Sequence, residues 1–197
     1  MPWWTTASSG AAPILLVGGF TVAAARQPPG YDPVRDTISA LAARGATDRW
    51  VMTAALAGLG FSYLATAAGL RPGRTAGRVV LAAGGLATVG VATFPQPAHG
   101  NSVAHTIAAT LAFGALALWP ALAAGRSGPR LLAPAASATA VIVMVGLVLW
   151  FVAEIHGGQR GLAERVAAGA EALWPLAVVL SSRRPDPEED GPRSVRG

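Results

Sequence analysis

A chain of 197 residues that is 52% apolar, 13% charged and of mean hydropathy +0.46 has too little polar material to cover a soluble globule of its size, so a membrane protein is expected. Its net charge is +5, but the arginines fall in short loops between apolar runs, which argues against a nucleic-acid partner. Cysteine and lysine are absent, excluding disulfides, thiolate nucleophiles, iron–sulfur clusters, Schiff bases and a P-loop lysine.

In chain order, six apolar runs are long enough to span a bilayer: about 7–25, 51–70, 76–94, 103–124, 131–153 and 162–182. They are continuous rather than alternating, so they predict helices and not barrel strands. The expected fold is an all-α, polytopic membrane bundle of six transmembrane helices. The first run has no basic segment before it and no clean cleavage site after it, and reads as an uncleaved span rather than a signal peptide. Pairs such as Gly18-Gly19 and Gly84-Gly85 give flat faces for close helix approach. Residues 183–197, rich in Pro, Asp, Glu and Arg, read as a disordered polar tail.

Between the first two runs lies "YDPVRDTISAL". Asp32 suits an N-cap, Pro33 the first helical position, and Val34, Ile38 and Leu41 recur on one helical face, with Gly45 as a stop. A short amphipathic helix is expected, its apolar stripe on the membrane or the bundle mouth and Arg35, Asp36 and Ser39 sharing a polar patch.

The arginines give an orientation. Arg71, Arg74, Arg78, Arg126, Arg130, Arg183 and Arg184 lie on one side with no acid near the membrane, whereas Arg26, Arg35, Arg44, Arg49, Arg160 and Arg165 are interleaved with Asp32, Asp36, Asp48, Glu154 and Glu164 on the other. Both termini are therefore placed in the cytoplasm. The Arg-only basic set beside abundant Ala and Gly suggests a GC-rich bacterial genome, hence a bacterial cytoplasmic membrane.

All three histidines and most acids outside the tail fall on the outer side, in the first loop, in "FPQPAHGNSVAH" and in "AEIHGGQRGLAERV". An outer pocket of Asp32, Arg35, Asp36, Ser39, His99, His105, His156, Glu164, Arg165 and Glu171 is expected. Arginines beside acids suit zwitterionic or phosphate-bearing headgroups, so membrane lipids or a small membrane-derived ligand are the expected partners. Glu171 lies roughly 12 Å down the last span. An ionised carboxylate facing lipid there would be costly, so it should face the bundle, on the same helical face as Glu164.

Three other chemistries were weighed. Zinc would take His99, His105 and His156 with Asp36 or Glu154, yet no tight ligand pair exists and no cofactor is expected; a b-type haem has only His105 well placed. A hydrolase acting on lipid would use Ser39 as nucleophile, His105 as base and Asp36 or Glu164 as orienter, without a nucleophile elbow. A proton-linked small-solute transporter would use Glu171, without a visible inverted repeat.

"YDPVRDTISALAA", "FPQPAHGNSVAHTIAA" and "GLAERVAAGAEALWP", in this order and spacing, resemble the six-span bacterial membrane proteins known as domain of unknown function 998. The resemblance runs from about the first span to Pro175 and matches at Asp36, Ser39, Pro95, His105, Glu164 and Arg165. It implies a helical membrane fold with the motif residues on one side, and brings no activity, substrate or cofactor.

Overall fold

The computed structural model describes residues 1–126 and 128–182. The expected disordered tail, 183–197, lies outside them. The described residues form seven α-helices and no strand: α1 (Trp3–Ala24), α2 (Ile38–Leu41), α3 (Trp50–Gly69), α4 (Thr75–Thr93), α5 (Val103–Ala123), α6 (Pro134–Ala153) and α7 (Arg160–Ser181). Five of them, α1, α3, α4, α5 and α6, are long and apolar enough to cross a membrane. With α7 at 22 residues, the six long helices match the predicted runs within a few positions, except that α1 starts earlier, at Trp3, and α6 later, at Pro134. The delay has a local cause. Pro134 holds Ala133 extended (φ −60°, ψ 145°), so Arg130–Leu132 closes as a separate 3-10 turn and the proline opens the helix.

The long helices pack in a ring, α1 on α3, α3 on α4, α4 on α5, α5 on α6, α6 on α7 and α7 back on α1. The α3–α4 seam is the tightest kind, backbone against backbone. A Cβ on Gly60 would stand 2.6 Å from the Gly85 carbonyl oxygen, and one on Gly85 2.8 Å from that of Gly60, so only glycine permits the approach. Arg78, in the first turn of α4, donates to the carbonyls of Ala67 and Ala68 at 2.8 Å each, placing a cation where the α3 carbonyls end. On the other side α6 is loosely engaged. It buries only Ser137, Ala140 and Met144, while Ile142, Val143, Leu149 and Val152 stay exposed, as suits a face turned to hydrocarbon.

The expected amphipathic helix in the first loop is corrected. Helix is confined to Ile38–Leu41, capped by Thr37, whose hydroxyl accepts from the Ala40 N–H at 3.1 Å. Asp32 instead closes a turn: its carboxylate accepts from the Val34 N–H at 2.9 Å, and the Asp36 carboxylate reaches back to the Asp32 N–H at 2.9 Å. Ile38 and Leu41 are buried against the bundle, whereas Val34 is exposed.

Candidate functional site

Why residues 33–36 do not continue as helix is answered by α7. Four consecutive carbonyls of the loop are taken by its first turns: Pro33 and Asp36 accept from the Arg165 guanidinium at 2.8 and 2.7 Å, Val34 from the Leu162 N–H at 3.0 Å, and Arg35 from Arg160 Nε at 2.8 Å. A helix would have claimed those carbonyls for its own N–H groups; here a neighbouring helix satisfies them. Gly161 makes the approach possible, since any Cβ there would run into the carbonyl oxygens of Asp36 and Pro33. Arg165 also donates to the Gly161 carbonyl (2.9 Å) and the Tyr31 hydroxyl, and lies 5.3 Å from the centre of the Phe20 ring. Burial holds the Tyr31 phenol above its ordinary pKa against the opposing pull of Arg165.

One turn along, Glu164 is buried at 4% exposure and receives two donors from α2, the Ile38 N–H and the Ser39 hydroxyl (3.1 Å). Loop and helix thus form a roof, in which Glu164 and Arg165 work as clamps.

Beneath it lies a partly open cavity of about 60 Å3. Ser39 and Glu164 meet it from the roof. Its walls are mostly apolar, with Leu16 of α1, Leu59 and Tyr63 of α3, Val91 of α4 and Phe113 of α5, and Glu171 of α7 enters from one side. No α6 residue lines it, although Phe151 of α6 packs on Phe113 with ring centres 5.4 Å apart. Glu171 is 1% exposed, and its Oε1 has no hydrogen-bond partner among the described residues.

The expected site residues therefore divide. Ser39, Glu164 and Glu171 share the cavity; Asp32, Asp36 and Arg165 build the roof beside it. Arg35 stands apart from the patch assigned to it: its side chain is 75% exposed and, among the described residues, pairs with Asp32 at 3.5 Å. His99 and His156 are exposed on separate loops. His105 is buried, but its ring Nδ1 lies 2.9 Å from the Phe94 carbonyl, joining α5 to the end of α4.

These placements separate the residues of two of the alternative chemistries. His99, His105 and His156 do not converge, and among the described residues no three His, Asp or Glu side chains gather as metal ligands. Ser39, His105 and Asp36 do not form a relay, because the Ser39 hydroxyl is spent on Glu164 and His105 on a backbone carbonyl. Tyr63, Phe113 and Tyr31 did not figure in the sequence reading. A tyrosine within an apolar run is the only signal that could have pointed to Tyr63; nothing local marks Phe113.

The model of a family described as Protein of unknown function (DUF998) matches residues 10–181. Searches of curated proteins and of solved structures find no match.

Proposed function

We propose that this chain, which belongs to the DUF998 family, is a six-span membrane protein that binds a small membrane-derived molecule in the cavity beneath its first loop. The observation that carries the reading is Glu171, a carboxyl group in a mostly apolar wall with an oxygen left without a partner. Buried polar groups are normally paired, and those that are not mark a ligand, a water or a catalytic role. The sixth span is α7. It carries more charge than the other five long helices, but Glu164 and Glu171 are both buried, so neither meets the cost of facing lipid, about 2.5–3.5 kcal/mol or more on insertion scales.

A phosphate headgroup suits the cavity poorly: two carboxyl groups line it and no arginine does. That favours a small ligand over a phospholipid head. Proton-linked transport stays as a second reading because of where Glu171 lies, within a bundle of long apolar helices. Hydrolysis has no support from the positions of Ser39 and His105.

The test is native mass spectrometry with extraction of the detergent-purified protein, beside Ala112→Phe, which places a ring in the cavity wall. A molecule released by the wild type and missing from the variant is expected. An empty wild type, or equal retention by both, sinks the reading.

A further inference from the structure

Resting on that reading, we infer that the occupant is a cation: an apolar molecule carrying a protonated amine, with Glu171 as its counter-ion. Glu164 and Glu171 stand seven residues apart on one face of α7, about 10.5 Å along its axis. Glu164 already holds two donors from the roof. Glu171 holds none among the described residues.

No arginine or histidine lines the cavity. Arg165, the nearest cation in sequence, has its guanidinium engaged by three backbone carbonyls and the Tyr31 hydroxyl. The protein thus presents an acceptor and leaves the cation out. A buried carboxylate without a partner is unfavourable, and its protonated form still leaves an O–H to place; an ammonium group delivered by the ligand meets the need with a charge-assisted hydrogen bond. The rest of the wall suits such a molecule. Leucine and valine side chains accept its apolar body, and the aromatic Tyr63 and Phe113 line the same space, where a ring attracts a desolvated cation. An anion would meet two carboxyl groups and no compensating charge.

The experiment uses two probes of one shape, benzylammonium and benzyl alcohol, titrated at neutral pH against the full chain in detergent, with thermal stability giving the apparent Kd. Each probe's partition into detergent is measured by equilibrium dialysis without protein, and the apparent Kd is expressed on its free aqueous concentration. The wild type is expected to bind benzylammonium about tenfold or more tightly than the alcohol, the size of one charge-assisted hydrogen bond. In Glu171→Gln that preference should disappear while the alcohol still binds.

Equal binding of the two probes by the wild type, a preference that survives in Glu171→Gln, or no binding of benzylammonium by the wild type each overturns the inference. Saturable binding of the alcohol alone overturns it too, yet leaves the cavity as a ligand site, so the two readings fail separately. If Glu171→Gln does not purify folded, Ala112→Phe takes its place. It keeps the carboxyl group and fills the space; loss of the benzylammonium response there supports the inference and its persistence overturns it.

Discussion

Two glutamates on one face of α7 have opposite surroundings. Glu164 is buried with an N–H and a hydroxyl bonded to it; Glu171, two turns deeper, is buried with an oxygen that has no partner among the described residues. The same side chain serves in one place to close the fold and in the other is held in reserve. Buried charges whose hydrogen bonds are already made belong to the architecture. By that standard Arg165 belongs with Glu164, and the roof they clamp is a structural unit. Glu171 belongs to the space beneath.

Mutations of the roof should therefore cost stability, and the largest loss is expected at Arg165. Arg165→Leu strips donors from three carbonyls and the Tyr31 hydroxyl at once. With bonds to a charged group at about 1.5–3 kcal/mol each, water recovering part, a net loss of about 3 kcal/mol is expected. Thermal unfolding in detergent measures it; a loss under about 1 kcal/mol would show that water holds the loop as well as Arg165 does. Next comes Glu164→Gln, nearly the same shape. Its amide oxygen can keep the Ile38 N–H while its NH2 group donates to the Ser39 hydroxyl, so what is lost is the charge assistance on two bonds, and about 2 kcal/mol is expected. Unchanged stability would place Glu164 outside the clamp.

Much of this was legible in the sequence, and the parts that were not share a cause. The long helices follow from apolar runs, which in a bilayer leave little choice of backbone. Gly84 and Gly85 were read as close-approach positions, and in α4 they do meet α5 and α3. The helix drawn from Asp32 onward failed because cap and periodicity are local signals, while the competing donors, Arg160, Leu162 and Arg165, lie about 125 residues away in sequence. Glu171 was placed inside the bundle from the cost of exposing it, and the structure buries it. That Arg165 would seek the Asp36 carbonyl rather than its carboxylate could not be read from residue types, since an arginine near an aspartate predicts an ion pair.

A smaller effect is therefore expected at Asp36. Its carboxylate accepts from the Asp32 N–H at 2.9 Å and stands 3.9 Å from Arg160, half-exposed. Asp36→Ala should cost about 1 kcal/mol, one exchangeable hydrogen bond. Asp48→Ala breaks the exposed Arg26 pair and should cost less, within the range of about 0–1 kcal/mol for surface pairs. A loss at Asp36 as large as that of Arg165→Leu, relieved by adding Arg165→Leu, would restore a direct carboxylate–guanidinium pair and displace the carbonyl clamp.

The smallest change in stability is expected at Glu171, and its sign is the sharpest check on the comparison. Glu171→Gln keeps the shape of the side chain and removes its capacity for charge. After delipidation no hydrogen bond at Oε1 is lost, because Oε1 has no partner among the described residues. What is removed is a group whose ionised form is unfavourable in an apolar wall, so replacing it should leave stability within about 0.5 kcal/mol or raise it. The measurement is thermal unfolding after exhaustive delipidation, beside Glu164→Gln under the same conditions. Had Glu171 been a clamp like Glu164, both variants would lose stability together. Should they do so, the unpartnered oxygen marks a contact satisfied within the fold, and the division of α7 into a structural glutamate and a reserved one collapses.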